Sequence, residues 1–324
     1  VSLALIELIV RRFDSAARQL EREAIRRIVQ SLNRSEVRFL VELERLSARA
    51  RSAGVESAQV REAMVRSLLD QVRASRDALQ LDRAETLAAL SALDAEATAL
   101  GRAQASALVQ AASGVPRSVI APMLNVGQIV ASARVEARLT SIGDARVANG
   151  LARLLQHTEE TARIIEGIII DGAVAGTGWG KMSREVRKAT GLTHYSAERI
   201  VRTESMEAID TARNEQYEED NVDFVIVLAT ADDRVCGYCA WRSGKVYRRE
   251  DIQLPFHPNC RCTTAAVRKE FVESGADDIS WLDEHHAETV KRAEEKPLQG
   301  VAPSEVWRGR TAPPKPVDVA KWRK

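Results

Sequence analysis

Between positions 5 and 32 apolar residues recur at three- and four-residue steps: Ile6, Ile9, Phe13, Ala17, Leu20, Ala24, Ile28 and Leu32. This predicts a helix with a narrow, near-heptad seam and arginine and glutamate on its other faces. A second helix is expected over 35–53, ended by Gly54. A third follows Ser57, with Val60, Met64, Leu68, Val72 and Leu79 on one face and the small Ser75 as its weak step. After a break near 81–83 the pattern resumes with Leu87, Leu90, Leu93, Ala97 and Leu100. Seams of leucine and alanine pack against neighbouring helices, in this chain or in another copy. The period alone leaves two arrangements open, a helical bundle and an elongated, coiled-coil-like arm.

Gly114, Pro116 and Pro122 punctuate this pattern and place a boundary there. Residues 128–170 read as largely helical, with breaks expected at Gly143 and Gly150, and end in Ile164, Ile165, Ile168, Ile169 and Ile170. The glycine-rich run that follows, through Gly176, Gly178 and Gly180 to Lys181, invites a phosphate-loop reading. That motif needs a glycine where Ala175 stands and a hydroxyl residue where Met182 stands, so the run is read as a turn between helices. A short helix is expected over 183–190 and a longer one over 194–219, with Ala197, Ile200, Val201, Ala208, Ile209 and Ala212 inward and Asn221 as its breaker. Residues 222–229, β-branched and apolar, form the clearest strand. A hairpin is expected around Ser243-Gly244, between Trp241 and Tyr247. Residues 263–267 suit a closing strand, and Pro297, Pro303, Pro313, Pro314 and Pro316 mark an extended tail with a surplus of Lys and Arg.

Composition sharpens the division. Only Phe13 and Phe39, among the aromatic residues, precede Trp179, no proline precedes Pro116, and Gly54 is the one glycine before Gly101. The first third is therefore written for long helices, and the chemistry lies further on. A chain of 324 residues can bury a real core and make two or more domains. Its net charge of +1 gives no global electrostatic pull toward nucleic acid or membrane. No stretch reaches the length of a membrane span. The apolar start at 2–10 is short, interrupted by Glu7 and without a preceding basic region, so it is not read as a signal peptide.

All 4 cysteines lie between positions 236 and 262. Cys236 and Cys239 form a C-x2-C pair; His257 and Cys260 repeat that spacing with histidine first, and Cys262 follows. Without a secretion signal, such clustering favours metal over two disulfides or free thiols. The expected zinc ligands are Cys236, Cys239, His257 and Cys260, with Cys262 competing for the fourth place, because a tetrahedral site takes only four. Four protein ligands make a closed, structural site that staples a β-region too small to hold itself. Three other groups read as local structure. Arg202-Thr203-Glu204 sits mid-helix, with Glu198 in ion-pair reach of Arg202. Asp232 and Asp233 read as turn formers. His285 and His286 are adjacent on a helix and point apart, which argues against a shared metal.

Taken together, Arg202-Thr203-Glu204, the strand through 225–228, Thr230-x-Asp232-x-Arg234-x-Cys236-x-x-Cys239, Gly244-Lys245 and His257-Pro258-Asn259-Cys260-Arg261-Cys262 resemble the phage Mu F-like head morphogenesis family, the minor capsid proteins of tailed phages. The resemblance spans roughly 172–267. It implies a virion protein, not an enzyme: a few-copy component of the head interior or portal vertex, assembled in the host cytoplasm. Such a protein associates with the portal, and with major capsid or scaffold protein, in head assembly, DNA packaging or genome ejection. DNA contact through the basic tail is the further partner considered. The alternatives are a zinc-dependent nuclease and a zinc-ribbon DNA-binding protein. The resulting expectation is a mainly α fold: a long helical region over 1–114 (bundle or arm) and a helical connecting region over 115–182. A small α+β domain with a zinc-knuckle-like site follows over 183–270, then a helical and extended tail over 271–324. No catalytic residues are assigned.

Overall fold

The computed structural model describes residues 3–52, 66, 69–70, 83–139, 145–174, 179–229, 235–258, 260–273, 281–295, 315–318 and 322. Helix α1 (Leu3–Ser52) carries the predicted seam, with Ile6, Ile9, Phe13, Ala17, Leu20, Ala24 and Ile28 all buried. It runs through the junction expected near position 33, since that stretch holds neither glycine nor proline and Asn33 alone does not stop a helix. Along its exposed faces Glu7–Arg11 (3.1 Å) and Glu23–Arg27 (2.5 Å) pair one turn apart. The seam expected from Val60 to Leu79 lies outside the described residues, as do Gly143 and the glycine-rich run at 175–178.

Helix α2 (Arg83–Ala112) buries Leu90, Leu93, Ala97 and Leu100 as expected. It ends where Gly114 turns left-handed, at φ +73°. Pro116 then opens the short α3 (Arg117–Ile120), followed by a 3-10 turn (Ala121–Leu124). Asn125 caps α4 (Val126–Leu139) by accepting the Gln128 N–H at 3.3 Å. Helix α5 (Ala145–Val174) continues through Gly150. Of its terminal isoleucines, Ile165 and Ile169 are buried whereas Ile164 and Ile170 are exposed, so the run is one amphipathic turn after another, not a buried end. The two helices expected over 183–190 and 194–219 are one, α6 (Trp179–Glu219). Gly191 sits inside it, a single glycine costing about 1 kcal/mol against alanine, which long flanking helix tolerates. All six residues expected to face inward from the 194–219 stretch are buried. Asn221, at φ +55°, is the left-handed residue that ends it.

Strand β1 (Phe224–Leu228) forms the middle of a small antiparallel sheet in the order β2-β1-β3. It pairs with β2 (Lys245–Arg248) in the register Ile226 opposite Val246, and with β3 (Thr263–Val267) in the register Ile226 opposite Ala265. The hairpin expected around Ser243-Gly244 is not formed. Gly237–Arg242 is helix α7, so Ser243-Gly244 joins a helix to β2, and β2 finds its partner in β1 instead. Helices α8 (Lys269–Glu273) and α9 (Leu282–Glu295) follow the sheet. The described residues are thus mainly helical with one three-stranded sheet, and no helix among them is long and apolar enough to cross a membrane.

The chain divides into two compact units. One, made of Arg22–Ala92 and Ile142–Val201, is helical throughout its described residues and buries Ile28, Leu90, Leu151, Ile169, Val186 and Val201. The other comprises Val1–Glu21, Leu93–Ser141 and Arg202–Lys324 and holds the sheet. There Val225 and Val227 of β1 pack with Ala105 and Val109 of α2, Tyr217 of α6 and the four cysteines. Ala17, Ala97, Met206, Ala208 and Ile209 form a second apolar cluster. Beside it Gly101 lies so near the Ile209 carbonyl that any Cβ would overlap the oxygen, an approach only glycine permits.

Polar groups fix this unit at its centre. Asp210 and Arg213 of α6 are both buried and stand 3.6 Å apart. Arg213 Nη1 donates to Thr263 Oγ1 and, at 3.5 Å, to Thr264 Oγ1, at the start of β3. The Tyr217 hydroxyl donates to the Thr264 carbonyl (3.1 Å). Asp210 Oδ2 accepts the Leu254 N–H (2.7 Å) and the Asn214 amide (3.2 Å). Burial pushes the Asp210 carboxyl up to about 6, against the opposing pull of Arg213. Removing one partner of a buried pair strands the other, so Arg213→Ala should lower stability by about 3–5 kcal/mol, read from the denaturant midpoint. Because the folded state holds the Asp210 proton more tightly than the unfolded chain does, stability should fall as pH rises from about 4 to about 6. Asp210→Asn should flatten that part of the stability profile, and an unchanged profile would contradict the assignment.

Candidate metal centre

Five soft or imidazole donors meet in the unit that holds the sheet because three short elements deliver them to one place. Cys236 sits at the N-terminus of α7 and caps it, its Sγ accepting the Cys239 N–H at 3.4 Å. That turn brings the Cys239 sulfur round to the same side, as a C-x2-C knuckle requires. The segment after β2 carries His257, whose carbonyl accepts the Cys260 N–H (3.0 Å) and so closes a matching turn. Cys262 directly precedes β3. All four cysteines are free and buried, and His257 is buried with them.

His257 Nε2 lies 3.1 Å from Cys236 Sγ and 3.0 Å from Cys239 Sγ, and Cys239 Sγ lies 3.9 Å from Cys260 Sγ. The donors form two overlapping groups with metal-binding spacing: Cys236, Cys239 and His257, and Cys239, Cys260 and Cys262. Cys239 belongs to both. Zinc–ligand bond lengths set tetrahedral edges of about 3.8 Å between sulfurs and about 3.5 Å between sulfur and nitrogen. Cys236, Cys239 and His257 therefore fit such an ion after an opening of about half an ångström around the imidazole, and Cys260 or Cys262, which share a group with Cys239 and not with His257, would have to close on them as the fourth ligand. His257 Nδ1 lies 2.8 Å from the Pro258 carbonyl, which fixes Nδ1 as the donor and turns Nε2 toward the sulfurs, the outer-shell arrangement of a metal-bound imidazole.

Among themselves these groups share protons unevenly. The neighbouring Cys239 thiol, followed by His257, pulls Cys236 down to about 4. Cys260 is likewise lowered, first by Cys239 and Cys262, while Cys239 and Cys262 are raised. Burial opposes the charged form of His257, yet the Cys236 and Cys260 sulfurs lift it to about 9. Each sulfur thus gains its charge at a neighbour's expense, and a dication would relieve that competition. Around the cluster Tyr238 stands edge-on to Phe256 (5.8 Å) and His257 (6.5 Å), and the buried Arg242 guanidinium covers the Tyr238 ring at 3.6 Å.

The other residues singled out from sequence go elsewhere. Arg202 Nε reaches Glu21 Oε2 of α1 at 3.8 Å, a longer-range partner than the neighbouring Glu198. Glu21 is buried, accepts from the Ser205 hydroxyl (3.1 Å), and is raised by burial against the pull of Ser205, Arg261 and Arg202. The Arg-Thr-Glu run thus begins with an anchor for α1. Asp232 and Asp233 lie outside the described residues. His285 and His286 both reach one turn, at Ser243. His285 Nε2 lies 3.1 Å from Ser243 Oγ, which itself accepts the Ala229 N–H (2.9 Å), and His286 Nδ1 lies 2.8 Å from the Ser243 carbonyl.

Residues 163–265 match the family described as Phage Mu protein F like protein. The chain carries a Phage Mu F-like segment. That segment runs from α5 through β3 and contains every residue of the cysteine–histidine cluster. The family is one of phage head morphogenesis. No curated protein and no solved structure matches the chain. The pair Gly244-Lys245 in the F-like segment has a direct structural reading. Gly244 is left-handed (φ +77°), donates its N–H to the Val227 carbonyl (2.8 Å), and would place a Cβ 2.7 Å from the Leu282 carbonyl oxygen. Gly244→Ala should therefore lower stability by about 1–3 kcal/mol through backbone strain and displacement of α9. A thermal melt checks this, and a neutral substitution would contradict the packing described.

Proposed function

We propose that this protein is a minor capsid protein of a tailed phage, acting in head morphogenesis at the portal vertex, with its cysteine–histidine cluster holding one structural zinc. The F-like match over residues 163–265 carries the reading. Zinc would be held by Cys236, Cys239, His257 and one of Cys260 and Cys262, the shared Cys239 being indispensable. The ion would tie α7, the His257 turn and the start of β3 into one unit. Four protein ligands leave no open coordination position for a substrate, which supports a structural and not a catalytic role. Further support comes from the histidines. His257 Nε2 faces two sulfurs, and His285 and His286 are engaged with Ser243, so none of these three is placed as a nuclease's histidine base. The near-neutral charge of the chain likewise favours a protein partner over bulk DNA binding.

The portal protein is the partner this reading names first, with copies of the chain placed in the head interior or at the vertex. Purified particles analysed by mass spectrometry should contain the chain, and particles disrupted gently should release it together with portal protein. Its absence from both mature particles and assembling heads would overturn the assignment. Metal analysis of the purified chain should give about one zinc per molecule. Cys239→Ser should abolish the metal, and only one of Cys260→Ser and Cys262→Ser should do the same. A folded, metal-free wild-type chain would remove the zinc claim while leaving the morphogenesis reading standing.

A further inference from the structure

The C-terminal tail reads in sequence as an extended, basic segment, yet its described residues are placed on the sheet. Val317 donates its backbone N–H to the carbonyl of Val246 at 2.8 Å. Val246 lies in β2, the edge strand whose other side is paired with β1. Trp322 is only 7% exposed, and its ring meets Phe224 edge-on, with centroids 4.7 Å apart and planes at 65°. Phe224 opens β1, opposite Arg248 of β2 and Val267 of β3. One backbone hydrogen bond to an open strand edge plus one aromatic anchor beside it is the pattern by which extended segments add to sheets. An uncovered edge strand invites pairing with other chains, and here the tail covers it.

We propose that the β2 edge and Phe224 form a docking groove for Val317 and Trp322 of the tail, and that this groove accepts the same two residues from a second copy of the chain when copies are brought together. The contact in a single chain is then the resting, self-closed form. Two facts favour a second copy as the occupant. Every copy brings the same segment to the same groove, so exchange creates no new interface. Residues 296–314, which link α9 to the segment, span at most about 70 Å when fully extended, a length that does not by itself confine the segment to its own sheet. Pro316 lacks an N–H, which makes Val317 the donor on which the strand-edge contact turns.

Full-length chain carrying Trp322→Ala keeps the groove and loses the anchor. A fluorescein-labelled peptide of residues 315–324 should bind this variant at least about 10-fold more tightly than it binds the wild-type chain, whose own tail competes at high effective concentration. Peptides carrying Val317→Pro or Trp322→Ala should bind the variant at least about 10-fold more weakly than the native peptide. Equal affinity for the two chains, or equal binding of the three peptides, would overturn the groove. Where Trp322→Ala lowers the melting temperature enough to cloud the result, full-length Val317→Pro serves in its place. Light scattering then tests exchange: the wild-type mass should rise with concentration, and the rise should be lost in the variant and reversed by excess peptide. A mass that responds to neither the substitution nor the peptide would overturn exchange between copies.

Discussion

The arrangement of the F-like segment depends on a buried polar contact between one helix and the two strand-end segments beside it. Asp210 and Arg213 occupy successive turns of α6, and each reaches a different part of the chain. Asp210 accepts the Leu254 N–H, three residues before His257. Arg213 reaches Thr263, the residue after Cys262. Both arms of the cysteine–histidine cluster that follow β2 are therefore indexed to the same helix. Burying an ion pair costs desolvation that its Coulomb attraction only partly offsets, so the pair is a poor source of stability in itself. Its value is geometric. An apolar contact would let the His257 turn or β3 slide, whereas a buried hydrogen bond left unmade is expensive and tolerates few alternatives.

The cluster completes what α6 begins. The sheet has three short strands, and its apolar partners are α2, Tyr217 and the cysteines themselves. A small sheet of this kind lacks the buried area to fix its loops by packing alone. The sulfurs and the imidazole converge from α7, the His257 turn and the start of β3. An ion held there would cross-link them and stabilise the folded state over a chain in which these segments are apart. Ser243 performs a smaller version of this task at the other end of α7: β1 binds its hydroxyl through Ala229, and α9 grips it through His285 and His286.

Periodic and compositional signals carried the long helices α1, α2, α5 and α6, the strands at 224–228 and 263–267, and the convergence of the cluster, but not the short helix α7. The seam residues of α1 and α2 and the inward residues of α6 were legible because burial follows a helical period. Helix ends were less legible. The break expected at Gly150 and the gaps expected at 33–34 and 191–193 each fall within a continuous helix, because long flanking segments outweigh one unfavourable residue. Ser243-Gly244 read as a hairpin turn because turn chemistry is local; the pairing of β2 with β1 is decided by partners far away in sequence. Asp210, Arg213 and Tyr217 went unmarked, although their spacing of three and four residues places them on one stripe beside Ile209. Polar side chains on an amphipathic helix default to solvent, and only the tertiary fold reveals that this stripe is buried. The Glu21–Arg202 contact was hidden for the same reason, its partners being joined across most of the chain.

The F-like segment turns its chemistry inward. The sulfurs, His257, Asp210 and Arg213 are buried, and the two α9 histidines are committed to a turn. What the chain can offer to partners must come from exposed side chains and backbone edges, those of the F-like segment included. With a net charge of +1 and the opposite charges on α1 paired along the helix, long-range attraction contributes little to choosing a partner. Selectivity then rests on short-range features: exposed apolar side chains such as Ile164, Ile170, Tyr195 and Trp241, and backbone edges such as that of β2. Such contacts act only once surfaces are already close, which suits a protein that joins an assembly whose other members hold it in place. Covering the β2 edge with the chain's own tail fits the same logic, since an adhesive edge is safe before assembly only if something already occupies it.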